Sequence, residues 1–176
     1  MNRHNGLRFC FLIAMGSISF AQVQRKDYPI HPVPLASVHV EDEFWGPRLD
    51  TNRNITFWHV VRQAEEAGEF DNFAKAGGLM EGDFRGSSPA RDSDAYKVIE
   101  GAAYMLAARP DPKLEKYVDD LIVKIAAAQE PDGYLYTARR ITPPEKMPEM
   151  AGPERWASLR TSHEIYVMGL LGEAGV

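Results

Sequence analysis

The segment Arg109-Pro110-Asp111-Pro112 constrains the fold of this chain more than any other stretch. Before it, Ala95, Val98, Ile99, Ala102 and Leu106 recur at helical spacing. After it, Leu114, Tyr117, Val118, Leu121, Ile122, Ile125 and Ala128 form the cleanest helical stripe in the sequence. Pro110 disfavours continuation of the first helix, because the residue before a proline is pushed out of the helical region. Asp111 is a good N-cap, and Pro112 suits a first helical position whose N–H is unpaired anyway. With so short a link, the two helices must fold back on each other as an antiparallel hairpin.

The rest of the chain alternates tight turns with long connections. A helix is expected from about Asn52 to Ala67, with Ile55, Trp58, Val61 and Ala64 on one face and Gly68 as its stop. Residues 68–92 are glycine-rich and read as a long loop. The next helix starts near Ser93, and Gly101, Ala103 and Tyr104 opposite its stripe imply burial on more than one face. Glu130-Pro131-Asp132-Gly133 is a turn by its chemistry, with Asp132 shaping it. Val38-His39-Val40 and Tyr134–Thr137 read as short strands, and Phe44-Trp45 as an aromatic anchor. Residues 138–160 read as a second long loop. A last helix begins near Thr161, where Thr161 and Glu164 fit a capping box and Ile165, Met168 and Leu171 supply the stripe. The expected class is all-α. Loops of this length are uncommon in a compact bundle, whereas helical hairpins with long loops suit a toroid. About four helices are too few to close one.

Met1–Arg8 is short and basic, and the apolar run Phe9–Phe20 is too short to span a bilayer. Ser19-Phe20-Ala21 offers small residues at a cleavage site. Residues 1–21 therefore read as a secretory signal peptide, which places the protein in the periplasm or outside the cell. Residues 22–37, with Pro29, Pro32 and Pro34, form an extended lead-in, and the domain proper is expected over 38–176. Cys10 is the only cysteine. The mature chain would then hold no disulfide, no thiolate metal site and no cysteine nucleophile. Removing residues 1–21 takes Arg3 and Arg8 from the 20 basic residues and nothing from the 25 acidic ones, so the formal charge goes from −5 to −7. Such a surface repels nucleic acid, and no basic cluster offsets it.

The chemical motifs are sparse. His163-Glu164 would need a second histidine at position 167 for a zinc-protease helix, and that residue is Val167. There is no nucleophile elbow, phosphate-binding loop or dinucleotide fingerprint. Asp92, Asp94, Lys97 and Glu100 crowd one helix start, which suits the helix dipole and an Asp94–Lys97 pair. They have a functional reading only if they face a cleft. Trp45, Tyr134, Tyr136 and Trp156 are candidates for sugar stacking or for the core.

Three stretches carry a resemblance. They are Asp92–Tyr104, Ala128–Leu135 and Ser162–Gly169, with weaker support from Phe44-Trp45 and Asn72-Phe73. In order and spacing they resemble the N-terminal part of the catalytic domain of the β-L-arabinofuranosidases of glycoside hydrolase family 127, or of the related family 146. The resemblance implies an (α/α)6 toroid and retaining hydrolysis of terminal β-L-arabinofuranosyl residues, so the expected partner is an L-arabinofuranoside-containing carbohydrate. It also implies zinc, held by cysteines and a glutamate, with a zinc-bound cysteine as nucleophile and another glutamate as acid/base. Those residues lie downstream in the family, so no catalytic residue and no metal ligand is expected in this chain, and the chain alone is expected to be inactive. One site residue carries over: His163 matches the sugar-contacting histidine of the family's Ser-His-Glu-Leu-Tyr motif. The sequence departs from the family at Leu170, where a histidine is usual, and at Gly175. Alternative readings are a toroid epimerase or a non-catalytic carbohydrate-binding module.

Overall fold

A computed structural model describes residues 30–147 and 151–176. The signal peptide over 1–21 and the first half of the lead-in lie outside the described residues. The chain divides into two units, Met1–Pro32 and Val33–Val176.

The elements are all helical. After a 3-10 turn at Leu35–Ser37 come α1 (Trp45–Thr51), a π-helical stretch (Asn52–Thr56), α2 (Phe57–Ala67) and α3 (Glu69–Ala76). They are followed by α4 (Asp92–Ala108), α5 (Pro112–Ala128), α6 (Thr137–Ile141), a 3-10 turn (Pro144–Lys146), α7 (Leu159–Ser162) and α8 (Glu164–Ala174). There is no strand among the described residues. Val38–Val40 and Tyr134–Tyr136 belong to no strand, and Thr137 already belongs to α6. The four long helices expected from the sequence are present, with shorter ones between them.

The hairpin forms as its punctuation demands. Asp111 Oδ1 accepts from the N–H groups of Lys113 and Leu114, at 3.0 and 3.2 Å. Leu114, Val118, Leu121, Ile125 and Ala128 are buried along α5, while Ile122 is exposed. A feature that periodicity does not reveal secures the corner from outside. The Arg53 guanidinium, on the π-helical stretch, donates to the carbonyls of Met105 (2.8 Å) and Arg109 (2.7 Å) at the end of α4. It also lies 3.5 Å from Asp111. The Met105 carbonyl already accepts the Arg109 N–H at 3.0 Å, so the guanidinium adds a second donor there, meets the Arg109 carbonyl, and complements the helix dipole.

α4 is the hub. It packs against α2, α3, α5, α8 and the first 3-10 turn. Its first half is buried nearly all round (Asp92, Ser93, Ala95, Tyr96, Val98, Ile99). Its second half is not: Ala103 and Tyr104 are exposed, against expectation. The core runs from Phe57, Val61 and Ala64 through Phe70 and Phe73 to Tyr134–Tyr136 and Val167. Ile55, Phe44 and Trp45 lie outside it. Phe44 packs edge-on to Trp45 and under Arg48, but neither ring anchors into the core.

Two expected loops contain helices. α3 turns directly off α2 at Gly68, whose φ of 77° is the left-handed stop that glycine permits. The buried Asn72 on α3 grips the following loop at Arg85, donating to its carbonyl (2.8 Å) and accepting from its N–H (3.0 Å). α6 lies in the other loop and packs against α3.

Replacing Arg53 by Met keeps the apolar stem and removes the guanidinium. The expected cost is about 1–3 kcal/mol, read as a lower urea midpoint with an unchanged m-value.

Candidate functional site

α7 and α8 read in sequence as the start of one capped helix. In the structure the chain breaks between them at His163, which sits at φ 59°, ψ 19° in the left-handed region. The capping box therefore does not form as expected. Glu164 turns its carboxylate into the interior instead, where it is fully buried. Tyr134 Oη donates to Oε1 at 2.6 Å and Arg139 Nε at 3.0 Å. Ser162 Oγ donates to Oε2 at 2.8 Å. The Trp156 N–H lies 3.3 and 3.2 Å from the two oxygens. Arg139 also donates to the carbonyls of Gly152 (3.1 Å) and Ala151. Tyr136 Oη donates to the Ser162 carbonyl at 2.5 Å. Burial pushes the Glu164 carboxyl upward, but the hydrogen bonds from Tyr134, Ser162, Arg139 and the Trp156 N–H outweigh it and hold the group below the usual glutamate range. So saturated a carboxylate orients the chain around it and has no proton to offer.

Both residues flanking His163 are buried and tied, yet its own ring is exposed. Nδ1 is 2.8 Å from the Thr161 carbonyl. A carbonyl only accepts, so Nδ1 carries the proton, and in the neutral tautomer Nε2 is then the acceptor.

A second buried carboxylate lies at the start of α4. Asp92 accepts from the Thr137 N–H (2.7 Å) and hydroxyl (2.5 Å), joining α4 to α6. No cation pairs with it among the described residues. Burial raises it from 3.8 to about 6, against the opposing pull of the Thr137 hydrogen bonds. The buried hydroxyl of Tyr96, one turn on, has no partner among the described residues. Asp92 is enclosed and its oxygens are occupied, so it is not placed to meet a substrate.

Of the remaining charges at the start of α4, Asp94 and Lys97 face a cleft, and Glu100 does not line it. A cavity of about 500 Å³ between α2 and α4 is apolar along Phe57, Val60, Ala64 and Val98, and polar at one end, where Glu69, Arg91, Asp94 and Lys97 line it. Arg91 pairs with Glu69 at 2.7 Å, and Lys97 with Asp94 at 2.9 Å. Burial and the nearby Asp94 raise the Glu69 carboxyl, and Arg91 pulls it back. The cavity is not lined by His163 or Glu164, but Lys97 lies 5.7 Å from the Tyr166 ring, which is 6.3 Å from the His163 ring.

Of the aromatic candidates, Tyr134 and Tyr136 are core residues that serve Glu164 and Ser162. Trp45 is exposed on α1. Trp156 is partly exposed, edge-on to Tyr134 at 5.2 Å. Asp132 shapes its turn, accepting from the Tyr134 N–H at 3.1 Å, and pairs with Arg155 at 2.6 Å. The last helix buries Glu164 and Val167, and the expected core residue Ile165 is exposed. Among the described residues no three His, Cys, Asp or Glu side chains gather to hold a metal ion. Cys10 lies outside them. The residues here do not fit the zinc site that the resemblance implies.

Comparison with known proteins agrees with this architecture. The family described as "Beta-L-arabinofuranosidase, GH127 catalytic domain" matches residues 37–176. The chain belongs to that family of glycoside hydrolases. A non-reducing end β-L-arabinofuranosidase of Bifidobacterium longum subsp. longum is 42% identical over 105 residues, which is 60% of this chain and 15% of that protein. A solved GH127 β-arabinofuranosidase superposes with a TM-score of 0.76 at 45% identity, over 84% of this chain and 23% of the other. A GH127 β-L-arabinofuranosidase of Geobacillus stearothermophilus T6 gives 0.69 at 34% identity, over 78% of this chain and 21% of the other. The helical toroid-like fold is thus shared, and the chain spans less than a quarter of each relative's length.

Asp92 generates a pH prediction. Its carboxyl is higher in the folded than in the unfolded chain, so the folded state holds the proton more tightly. Its contribution is full below about pH 4 and is lost as pH rises through about 6. Unfolding free energy measured from pH 4 to 7 should carry this falling component, on the order of 2–3 kcal/mol. Asp92→Asn should remove this component, leaving the slope from Glu69 in the same direction and, at the acid end, the opposite slope from carboxyls held low, such as Glu164.

Proposed function

We propose that this chain forms part of the substrate-binding wall of a retaining glycoside hydrolase acting on terminal β-L-arabinofuranosyl residues. The observation that carries the reading is His163, which is exposed and held between two buried, hydrogen-bonded neighbours, with Nδ1 2.8 Å from the Thr161 carbonyl. An imidazole fixed in this way suits a sugar hydroxyl, because the donor meets an acceptor already in place. Family membership over residues 37–176 supplies the substrate class. In that reading the bond-breaking chemistry belongs to other parts of the catalytic domain. This chain's residues bind and orient the sugar. Residues 1–21 act as an export signal, and the protein works outside the cell or in the periplasm on plant-type carbohydrate. Membership in a hydrolase family favours this reading over a toroid epimerase.

Two measurements test it. The purified chain is expected to show no turnover of an aryl β-L-arabinofuranoside, and measurable hydrolysis would overturn the assignment of the chemistry to other segments. Methyl β-L-arabinofuranoside should shift the His163 ring signals in an NMR titration. His163→Ala should weaken that binding about tenfold, the scale of one hydrogen bond to a fixed polar group.

A further inference from the structure

The charges at the start of α4 and the exposed residues of α8 form one continuous row. Lys97 Nζ donates to Asp94 Oδ1 at 2.9 Å. The same ammonium lies over the Tyr166 ring at 5.7 Å from its centroid. Tyr166 meets His163 edge-on at 6.3 Å. The row spans two helices that pack directly on each other, so its spacing is set by the core and not by a loop. Its members stay accessible: the side chains of Asp94 and Lys97 are 39% and 47% exposed, and Tyr166 is 49% exposed. One end opens into the polar mouth of the cavity between α2 and α4. Small-molecule sites favour such concave places, where a few fixed polar groups adjoin an apolar wall.

A helix-surface ion pair alone adds little to stability. Three features set this one apart. It lines a cavity, it abuts an exposed aromatic ring, and that ring abuts the histidine. A carboxylate and an ammonium side by side offer an acceptor and a donor to neighbouring hydroxyls without adding net charge, which suits a neutral sugar. The Tyr166 ring presents an apolar face of the kind that takes sugar C–H groups.

We propose that Asp94, Lys97 and Tyr166 are substrate-binding residues that continue the His163 site. Lys97 donates to one sugar hydroxyl, Asp94 accepts from its neighbour, and Tyr166 packs against the ring between them and His163. The proposal rests on the reading of His163 as a sugar contact and extends it to a second helix.

The test uses the purified chain, methyl β-L-arabinofuranoside, and its two analogues lacking either ring hydroxyl. Affinities are read by NMR titration, and folding of each variant is checked by its thermal midpoint. The wild-type chain should bind the parent glycoside in the millimolar range or tighter, and at least one deoxy analogue about tenfold more weakly. Lys97→Met and Asp94→Asn should weaken the parent about tenfold and erase that discrimination while leaving the thermal midpoint nearly unchanged. Tyr166→Ala should weaken parent and analogues alike. Loss of discrimination is the decisive readout, because a merely structural change would not abolish it selectively. If Lys97→Met and Asp94→Asn bind and discriminate like wild type while His163→Ala loses affinity, the row is wrong and the His163 reading stands. If the α4 variants lose discrimination while His163→Ala binds normally, the α4 residues are supported and the His163 reading fails. Absence of binding by the wild-type chain overturns both.

Discussion

The Glu164 carboxylate is the interaction on which the local architecture depends. A fully desolvated anion costs several kcal/mol unless every lone pair is met. Here the donors come from three separated stretches: Tyr134 and Arg139 around α6, the Trp156 N–H in the following loop, and Ser162 at the end of α7. None is a neighbour in a regular ladder, so each stretch must be in place before the charge is tolerated. Among the described residues, the two non-glycine residues with left-handed backbone, Trp156 and His163, both adjoin this carboxylate. Conformations of that kind persist where the surroundings over-determine them. The same buried group thus enforces the break that separates α7 from α8.

Arg53 and Asp92 play related parts elsewhere. Arg53 joins the first helical segment to the corner of the hairpin. Asp92 joins the start of α4 to the start of α6. In each case a charged side chain meets backbone groups at a helix end. The hub helix α4 is therefore fixed at both ends by polar contacts and along its length by packing.

The hairpin was legible because its signals are local: two stripes, a proline stop and an Asp-Pro start. The all-α class and the family followed from such local patterns as well. What escaped the sequence reading was set by contacts across the chain. α3 carries Glu69 and Asp71 in its first turn and Phe70, Phe73 and Ala74 on one face, a readable helix hidden by the glycines around it. α6 has only five residues, too few to show a period. Glu164 three residues after Thr161 matched a capping box, yet donors 8 to 30 residues away claimed its carboxylate. Ile165 lost its expected core place for the same reason, since the break at His163 turned the face of α8 so that Val167 is buried. His163 was singled out by resemblance. Nothing in its spacing predicted that Lys97 would stand beside Tyr166, because only the packing of α4 on α8 brings them together.

The left-handed backbone of His163 also restricts which residues this position can accept. Glycine and asparagine tolerate that conformation readily, and β-branched residues do not. A sugar contact here needs a side chain that satisfies the backbone and the ligand at once. Glycine would relax the chain and present nothing, while isoleucine or valine would strain it whatever their size. Histidine is among the few side chains that both visit this region and reach outward with a ring nitrogen. With His163 as the proposed sugar contact, variation at 163 would be filtered twice, by the geometry of the chain and by the chemistry of the ligand.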